Sequence, residues 1–317
     1  MHSSSARILA SLLLASAVCA AVPASPDSMP PYEAVVRFAQ ARLLESQGDL
    51  PGALDAFSHV LAIDPRSGDA ARHVSDLAAR LGQTGRALEA ARQAIAIDPT
   101  DARARWLEGS ALLELGRNEE ALAALEQAAR ADSDNAEYQR TLARAAEQLD
   151  RVPVVARAWR AASDLDPDDG ETWFQLAAAE ARLGHFGAAD SALAEARERV
   201  PDRPGMLFLE GWIRESTGHP KQAIALYQKH LAVNADDQLT RQRLVNLLAG
   251  ESRYPEAWAE AKKVASARAQ DPQALEAEAE LAFRAGHAPE GHAALAKLQA
   301  LAGGEVAGAA RAAAVLG

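Results

Sequence analysis

The chain has 317 residues, of which 49% are apolar and only 5% aromatic. Its formal net charge of −11 argues against a surface that binds nucleic-acid phosphates, because such affinity rests on clustered Lys and Arg. Nucleic acid is therefore excluded as a main partner, and the length predicts either two domains or a repeat array.

Residues 1–20 have the pattern of a secretory signal peptide. Arg7 supplies the positive charge, an apolar run starts at Ile8, and Val18-Cys19-Ala20 offers small residues for cleavage. The apolar run is too short for a membrane span, so we expect no transmembrane segment in the mature chain. Several prolines mark residues 21–33 as a non-helical spacer.

The same segment predicts where the protein resides. Arg greatly outnumbers Lys and Ala is abundant, which is typical of a GC-rich bacterial genome, so a periplasmic or secreted location is expected. Cys19 is the only cysteine, and cleavage after Ala20 would leave a mature chain without thiols or disulfides. A lipid anchor on Cys19 is the alternative.

A repeat of 34 residues governs the sequence after residue 33. Ala62-Ile63-Asp64-Pro65 recurs as Ala96-Ile97-Asp98-Pro99, and a frame that starts at Ala34 continues without an insertion. The frame predicts eight units, which span residues 34–67, 68–101, 102–135, 136–169, 170–203, 204–237, 238–271 and 272–305.

Position 15 of this frame carries the strongest signal. It holds glycine in six of the eight units, with Asp150 and Ser252 in the other two. Glycine adopts positive φ readily, which lets a first helix end and the chain turn into a second helix. Small residues at positions 8 and 20 let the two helices approach closely, and prolines at position 32, such as Pro65 and Pro99, end the second helix. Each unit is therefore predicted to be a helical hairpin.

This pattern, with a bulky residue at position 24, resembles the tetratricopeptide repeat. The third unit is the clearest example, with Trp106, Gly109, Gly116, Ala121 and Leu125. The resemblance implies an all-α, right-handed superhelical solenoid of about eight helix-turn-helix repeats. Residues 306–317 are expected to form an Ala-rich capping tail that covers the last apolar face. The resemblance says little about function, because members of this family bind unrelated partners.

The sequence contains no recognisable catalytic constellation. It lacks the HExxH, GxxxxGK[ST] and GxSxG motifs, so we expect a non-catalytic protein without a cofactor. His287 and His292 are five residues apart, or about 140° around a helix, which disfavours a metal site. The acids within residues 164–169 resemble a calcium loop, but a turn with helix-capping acids is the favoured interpretation.

Positions 2, 5, 9, 12 and 13 of the first helices form a stripe that repeat packing does not require. We call it the first-helix stripe. In tetratricopeptide repeat proteins this stripe lines a concave groove that holds a peptide or a partner helix. Position 4 is already filled beside Phe174 and Phe208, so these rings are surplus to packing. For Phe38 and Trp106 a packing role is the alternative. The aromatic candidates for binding are Phe174, Phe208, Trp212 and Trp106.

Arginine also recurs on the first-helix stripe. Guanidinium groups bind carboxylates through two hydrogen bonds, so a basic track in the groove favours an acidic partner segment. Neutralisation by nearby acids such as Glu137, Glu147 and Glu171 is the alternative. The arginines of the stripe are Arg42, Arg72, Arg140, Arg144 and Arg182.

Together these patterns predict a non-catalytic scaffold of the bacterial cell envelope that binds a partner protein or peptide in its concave groove. The alternative is a carbohydrate-binding or polysaccharide-assembly and export factor that stacks sugars on the groove aromatics. The partner-binding residues predicted from the sequence are Phe174, Phe208, Trp212, Arg140, Arg144, Arg182 and Trp106.

Overall fold

A computed structural model describes residues 30–301, which form α-helices joined by short turns and contain no strand. The all-α helical repeat fold is therefore confirmed. The predicted signal peptide with Cys19, most of the spacer and the capping tail at residues 306–317 lie outside the described residues. No helix within residues 30–301 is both long enough and apolar enough to cross a membrane.

Contacts between Cα atoms divide the chain into an N-terminal unit, Met1–Leu115, and a C-terminal unit, Gly116–Gly317. In the N-terminal unit α1 packs on α2, α2 on α3, α3 on α4 and α4 on α5. Its helices are α1 (Tyr32–Ser46), α2 (Leu50–Ile63), α3 (Gly68–Arg80), α4 (Thr84–Ile97) and α5 (Ala102–Glu114).

The C-terminal unit repeats the same hairpin, since each of its helices packs on the next one along the chain. Its described helices are α6 (Asn118–Ala131), α7 (Ala136–Gln148), α8 (Val152–Leu165), α9 (Gly170–Arg182), α10 (Phe186–Arg199), α11 (Met206–Ser216), α12 (Pro220–Val233), α13 (Gln238–Gly250), α14 (Tyr254–Ala267), α15 (Pro272–Arg284) and α16 (Ala288–Leu301).

Each first helix ends at a residue with a left-handed backbone. Six of these residues are glycines, and Asp150 (φ 54°) and Ser252 (φ 57°) are the non-glycine residues with positive φ in the described part of the chain. At Gly82 the turn is closed by two bonds: Gly82 N–H donates to Ala79 O at 2.9 Å, and Gln83 N–H donates to Ala78 O at 2.8 Å. The predicted turn is confirmed, including at the two positions that lack glycine.

Polar capping side chains mark where most of the described first helices begin. Asp101 accepts a hydrogen bond from Ala104 N–H at 2.9 Å at the start of α5, and Asp169 caps α9 by accepting from Thr172 N–H at 3.3 Å. The helix α11 lacks such an acid; it begins only at Met206, after Gly205 with φ 87°, and has no side-chain cap. The loop before α11 therefore departs from the repeat.

Small residues allow the two helices of a hairpin to approach closely. A Cβ atom built on Gly211 of α11 would lie 2.5 Å from Cε1 of Tyr227 in α12, a ring that is fully buried. The bulky residue at position 24 thus fills the space that the missing side chain leaves, as the repeat pattern predicts.

The left-handed turn can be tested with a pair of alanine substitutions. Gly82→Ala should lower the free energy of unfolding by about 1 kcal/mol, because φ is +72° there and a Cβ meets no atom within 4 Å, so that only backbone strain is added. The control Gly85→Ala lies in α4, also with no atom within 4 Å, and should leave stability unchanged or raise it slightly. Urea unfolding followed by circular dichroism measures both. Equal effects of the two substitutions would contradict the assigned strain.

Candidate functional site

The first-helix stripe of the N-terminal unit surrounds a cavity of about 590 Å³. Three consecutive first helices, α1, α3 and α5, contribute to its wall, and we call it the N-terminal cavity. Its lining residues are Phe38, Arg42, Glu45, Asp69, Arg72, His73 and Arg103.

His73 lies at the back of this cavity, stacked on the ring of Phe57. The two ring centroids are 4.4 Å apart and the planes differ by 2°, while Phe38 meets the imidazole edge-on at 5.7 Å. Arg42 Nη1 lies 3.0 Å from His73 Nε2, and because a guanidinium can only donate, that nitrogen must accept the bond. His73 is therefore the neutral tautomer with its proton on Nδ1.

Electrostatics at His73 favour the same neutral state. Burial lowers the pKa of His73 from its ordinary value; the Glu45 carboxylate acts in the opposite direction, and the guanidinium groups of Arg42 and Arg103 lower the pKa further. Glu45 Oε2 lies 3.4 Å from His73 Nδ1 and is shielded from solvent without a hydrogen-bond partner in the described structure.

The three arginines of the N-terminal cavity differ in how far they are paired. Arg72 is held by Asp69 and, at 3.0 Å, by Asp101. Arg42 is mostly exposed and lies 3.7 Å from the carboxylate of Glu45. Arg103 is exposed and forms no hydrogen bond or ion pair with any residue of 30–301. Two guanidinium groups are thus able to donate hydrogen bonds to a bound molecule.

Of the aromatic candidates in the C-terminal unit, Phe174 does not belong to an exposed surface. Its side chain is only 7% exposed, and the guanidinium of Arg203 covers the ring at 3.6 Å from the centroid. Arg203 is held there by Glu171, to which Nη2 donates at 2.7 Å. The sequence prediction for Phe174 as a surface aromatic is corrected for this reason.

Phe208 and Trp212 are each partly exposed on α11. Phe208 packs against Tyr227 and His230, both at 6.0 Å between ring centroids, so most of its role is in the core. The guanidinium of Arg243 lies 5.9 Å from the Trp212 ring centroid.

Glu215 joins Tyr227 and Arg243, the neighbours of Phe208 and Trp212. The Tyr227 hydroxyl donates to Glu215 Oε2 at 2.6 Å and Arg243 Nη1 donates to the same oxygen at 3.0 Å. Burial, followed by the hydrogen bond and charge of Glu215, raises the pKa of Tyr227, so this hydroxyl stays protonated. The guanidinium beside Trp212 is thus held in place by Glu215.

The predicted arginines of the C-terminal unit are neutralised by nearby carboxylates. Arg140 contacts Asp166 at 3.1 Å and Asp169 at 3.2 Å, and both Arg140 and Arg144 bind Glu137. The remaining candidate, Arg182, pairs with Asp150. These contacts favour the neutralisation that the sequence left as an alternative.

The acids suggested as partners for the arginines act mostly elsewhere. Glu147 accepts from Trp159 Nε1 at 3.0 Å, and Glu171 binds Arg203. In the N-terminal unit, Trp106 is partly buried on α5, and its role in binding stays a prediction.

The two histidines near the end of the chain pack on different aromatic rings. His287 stacks on Trp258 at 4.0 Å, and His292 meets Phe283 edge-on at 5.1 Å. Within the described residues, no group of three or more His, Cys, Asp or Glu side chains is arranged to hold a metal ion. Asp169 caps α9, as the turn interpretation of the acidic stretch predicts.

A pH titration tests the buried state of His73. The unfolded chain binds the imidazole proton more readily than the folded chain, so stability should fall as the pH drops below the ordinary value of about 6.5. His73→Gln should remove this part of the pH dependence, as measured by the free energy of unfolding at pH 8 and pH 5.5. In nuclear magnetic resonance spectra His73 should titrate below 6.5, and Arg42→Gln should raise its midpoint. A midpoint at or above 6.5 in the unaltered protein would refute the assignment.

Comparison with known proteins places the fold among described repeat proteins. No curated protein sequence matches the chain. The solved structure of YrrB, titled a TPR protein with an unusual peptide-binding site, is 20% identical, with a TM-score of 0.56 over 59% of this chain and 96% of that chain. PilF of Pseudomonas aeruginosa is 18% identical, with a TM-score of 0.51 over 67% of this chain and 96% of that one.

The complex of Naa15 and Naa10 bound to HypK contains a further similar chain. It is 16% identical, with a TM-score of 0.54 over 78% of this chain but only 38% of that chain. At these identities the likeness concerns the fold alone.

Sequence models of the tetratricopeptide repeat match residues 78–145 and, separately, residues 38–102 and 174–238. Together these matches cover more than half of the sequence, in agreement with the hairpins and turn residues described above. The chain belongs to the tetratricopeptide repeat family.

Proposed function

We propose that this protein is a non-catalytic scaffold that binds a polypeptide segment of a partner protein on the first-helix stripe of its N-terminal unit. The observation that carries the proposal is the N-terminal cavity, to which three successive first helices contribute and in which Arg103 lacks an ion pair. The peptide-binding site named for YrrB supports the same use of a related fold.

The chemistry of the cavity favours a segment with an acidic side chain next to an apolar one. Arg42 and Arg103 offer donors that carboxylates accept in pairs. An adjoining apolar cavity of about 300 Å³ shares Phe38 with the N-terminal cavity and is also lined by Val35 and Val60. An apolar side chain of the partner would enter this second space, which supplies affinity by burial.

The proposed location is the bacterial cell envelope, in the periplasm or after secretion. Support comes from the sequence of residues 7–20, with one positive charge, an apolar run and small residues at a cleavage position. The intact mass of protein from the envelope fraction tests this, since cleavage after Ala20 and a lipid on Cys19 give different masses.

Site-specific photo-crosslinking in the native cells tests where the partner binds. A benzoyl-phenylalanine at position 35, an exposed residue that lines the adjoining apolar cavity, keeps both arginines and should capture a specific protein. Arg42→Gln in the same chain should reduce its yield at least about fivefold, because one of two charged donors is lost. The matched control places the crosslinker at position 86 on α4, outside the cavity lining.

The other outcomes of this experiment are equally informative. The same products from positions 86 and 35 would mean unspecific contact and contradict the proposal. Capture only from position 212 would transfer binding to Trp212 in the C-terminal unit.

A separate binding experiment tests the alternative function. A purified oligosaccharide that binds without any protein partner would support sugar recognition, although Phe174 is too deeply buried to stack on a sugar.

A further inference from the structure

A second cavity lies in the C-terminal unit, between the start of α13 and the later turns of α14. It has a volume of about 710 Å³ and does not involve the first-helix stripe. We call it the α13–α14 cavity. The lining residues used below are Gln238, Arg241, Trp258, Lys262 and Lys263.

Three polar atoms of this lining are shielded from solvent and have no hydrogen-bond partner. They are Gln238 Oε1, Arg241 Nε and Trp258 Nε1, and they make up half of the atoms of this kind found in residues 30–301. Because buried polar groups are nearly always paired in native proteins, their concentration in one cavity calls for a partner that the isolated chain lacks.

Two nitrogens of the Arg241 guanidinium are already hydrogen-bonded, so only its Nε–H group is left without a partner. Its side chain is only 8% exposed, Nη1 donates to Glu260 and Nη2 donates to the carbonyl of Ala235. The remaining Nε–H is a donor, and a charged donor forms a stronger hydrogen bond than a neutral one.

The indole of Trp258 is also fixed. His287 stacks on its ring at 4.0 Å, and Lys262 Nζ lies 5.6 Å from the ring centroid. These contacts leave the Nε1–H group for a ligand, and an indole nitrogen can only donate.

The three cationic side chains that line the cavity outnumber its one lining acid, Asp236, and favour an anion. Glu260 is shared by Arg241 and by Lys263, whose Nζ donates to Glu260 Oε1 at 2.8 Å. Lys262 is exposed and forms no ion pair with any residue of 30–301. Two adjacent lysines at 262 and 263 also stand out in a chain with a net charge of −11 and only five lysines.

We propose that the α13–α14 cavity binds the carboxylate of an acidic polypeptide segment. The oxygens of that carboxylate accept from Trp258 Nε1–H and Arg241 Nε–H, and Lys262 leaves the indole face to balance the charge. Gln238 Oε1 accepts from a backbone N–H of the same segment. None of its lining residues belongs to the N-terminal cavity.

The test uses the full chain and an acetylated, amidated hexaglutamate peptide as the probe. The indole N–H resonance of Trp258, assigned with Trp258→Phe, should move during titration at constant ionic strength. Lys262→Gln and Trp258→Phe should each raise the dissociation constant about tenfold, because each removes one hydrogen-bond donor, charged in Lys262 and buried in Trp258. The control Lys229→Gln removes the same charge from an exposed site on α12 and should change affinity less than twofold.

Each remaining outcome overturns the assignment. A stationary Trp258 resonance would place the peptide elsewhere, and equal weakening by Lys262→Gln and Lys229→Gln would reduce the effect to general attraction. A shift by inorganic phosphate as large as that by the peptide would replace a carboxylate site by an unselective anion site. Because Lys262 is exposed, its substitution keeps the test valid even where Trp258→Phe unfolds the chain.

Discussion

The left-handed residue at the end of each first helix is the constraint on which the rest of each unit depends. It reverses the chain in two or three residues, so that every second helix described begins 34 residues after the one before it, from Leu50 to Ala288. Asp150 and Ser252 adopt this backbone without being glycine, at a cost of about 1 kcal/mol each. Packing of the two flanking helices outweighs that cost, which shows that the turn is imposed by the hairpin as well as favoured by glycine.

The prolines at position 32 have a smaller effect than the sequence pattern indicates. Helices α2 and α4 end two residues before Pro65 and Pro99, but α12 and α14 end at the same point of the repeat without a proline. After α12 and α14 the next helix begins with a capping Asp237 or Asp271, whereas α10 ends at the same point with Pro201 behind it and no capping side chain on the next helix. Each feature thus occurs at this helix end without the other. Before α11, Arg203 stands where Ser, Asn or Asp caps the first helices of other units, and α11 starts late.

The sequence predicted those features of the candidate site that recur in every repeat, and missed those that occur in one repeat only. Periodic features, such as the turn glycines and the first-helix stripe, were predictable because each repeat puts the same kinds of residue at the same positions. The burial of Phe174 was not, because Arg203 lies over the ring from the one loop that breaks the repeat. His73 was missed because it lies one residue beside the stripe, at a position where other units carry unrelated side chains. Its stacking on Phe57 becomes visible only once α2 and α3 are packed together.

Whether an arginine on the stripe can bind a partner depends on the acids that share its hairpin. In the C-terminal unit Asp169, which caps the start of α9, also reaches Arg140, so one carboxylate both begins a helix and cancels a charge. In the N-terminal unit Asp101 caps α5 and binds Arg72, while Arg103, two residues further along, lies beyond its reach. A capping acid therefore neutralises an arginine on the preceding first helix, and Asp101 spares Arg103, which follows it in sequence. This arrangement leaves a free guanidinium beside Arg42 in the N-terminal cavity, where a bound carboxylate would complete the ion pairing that the chain itself provides elsewhere.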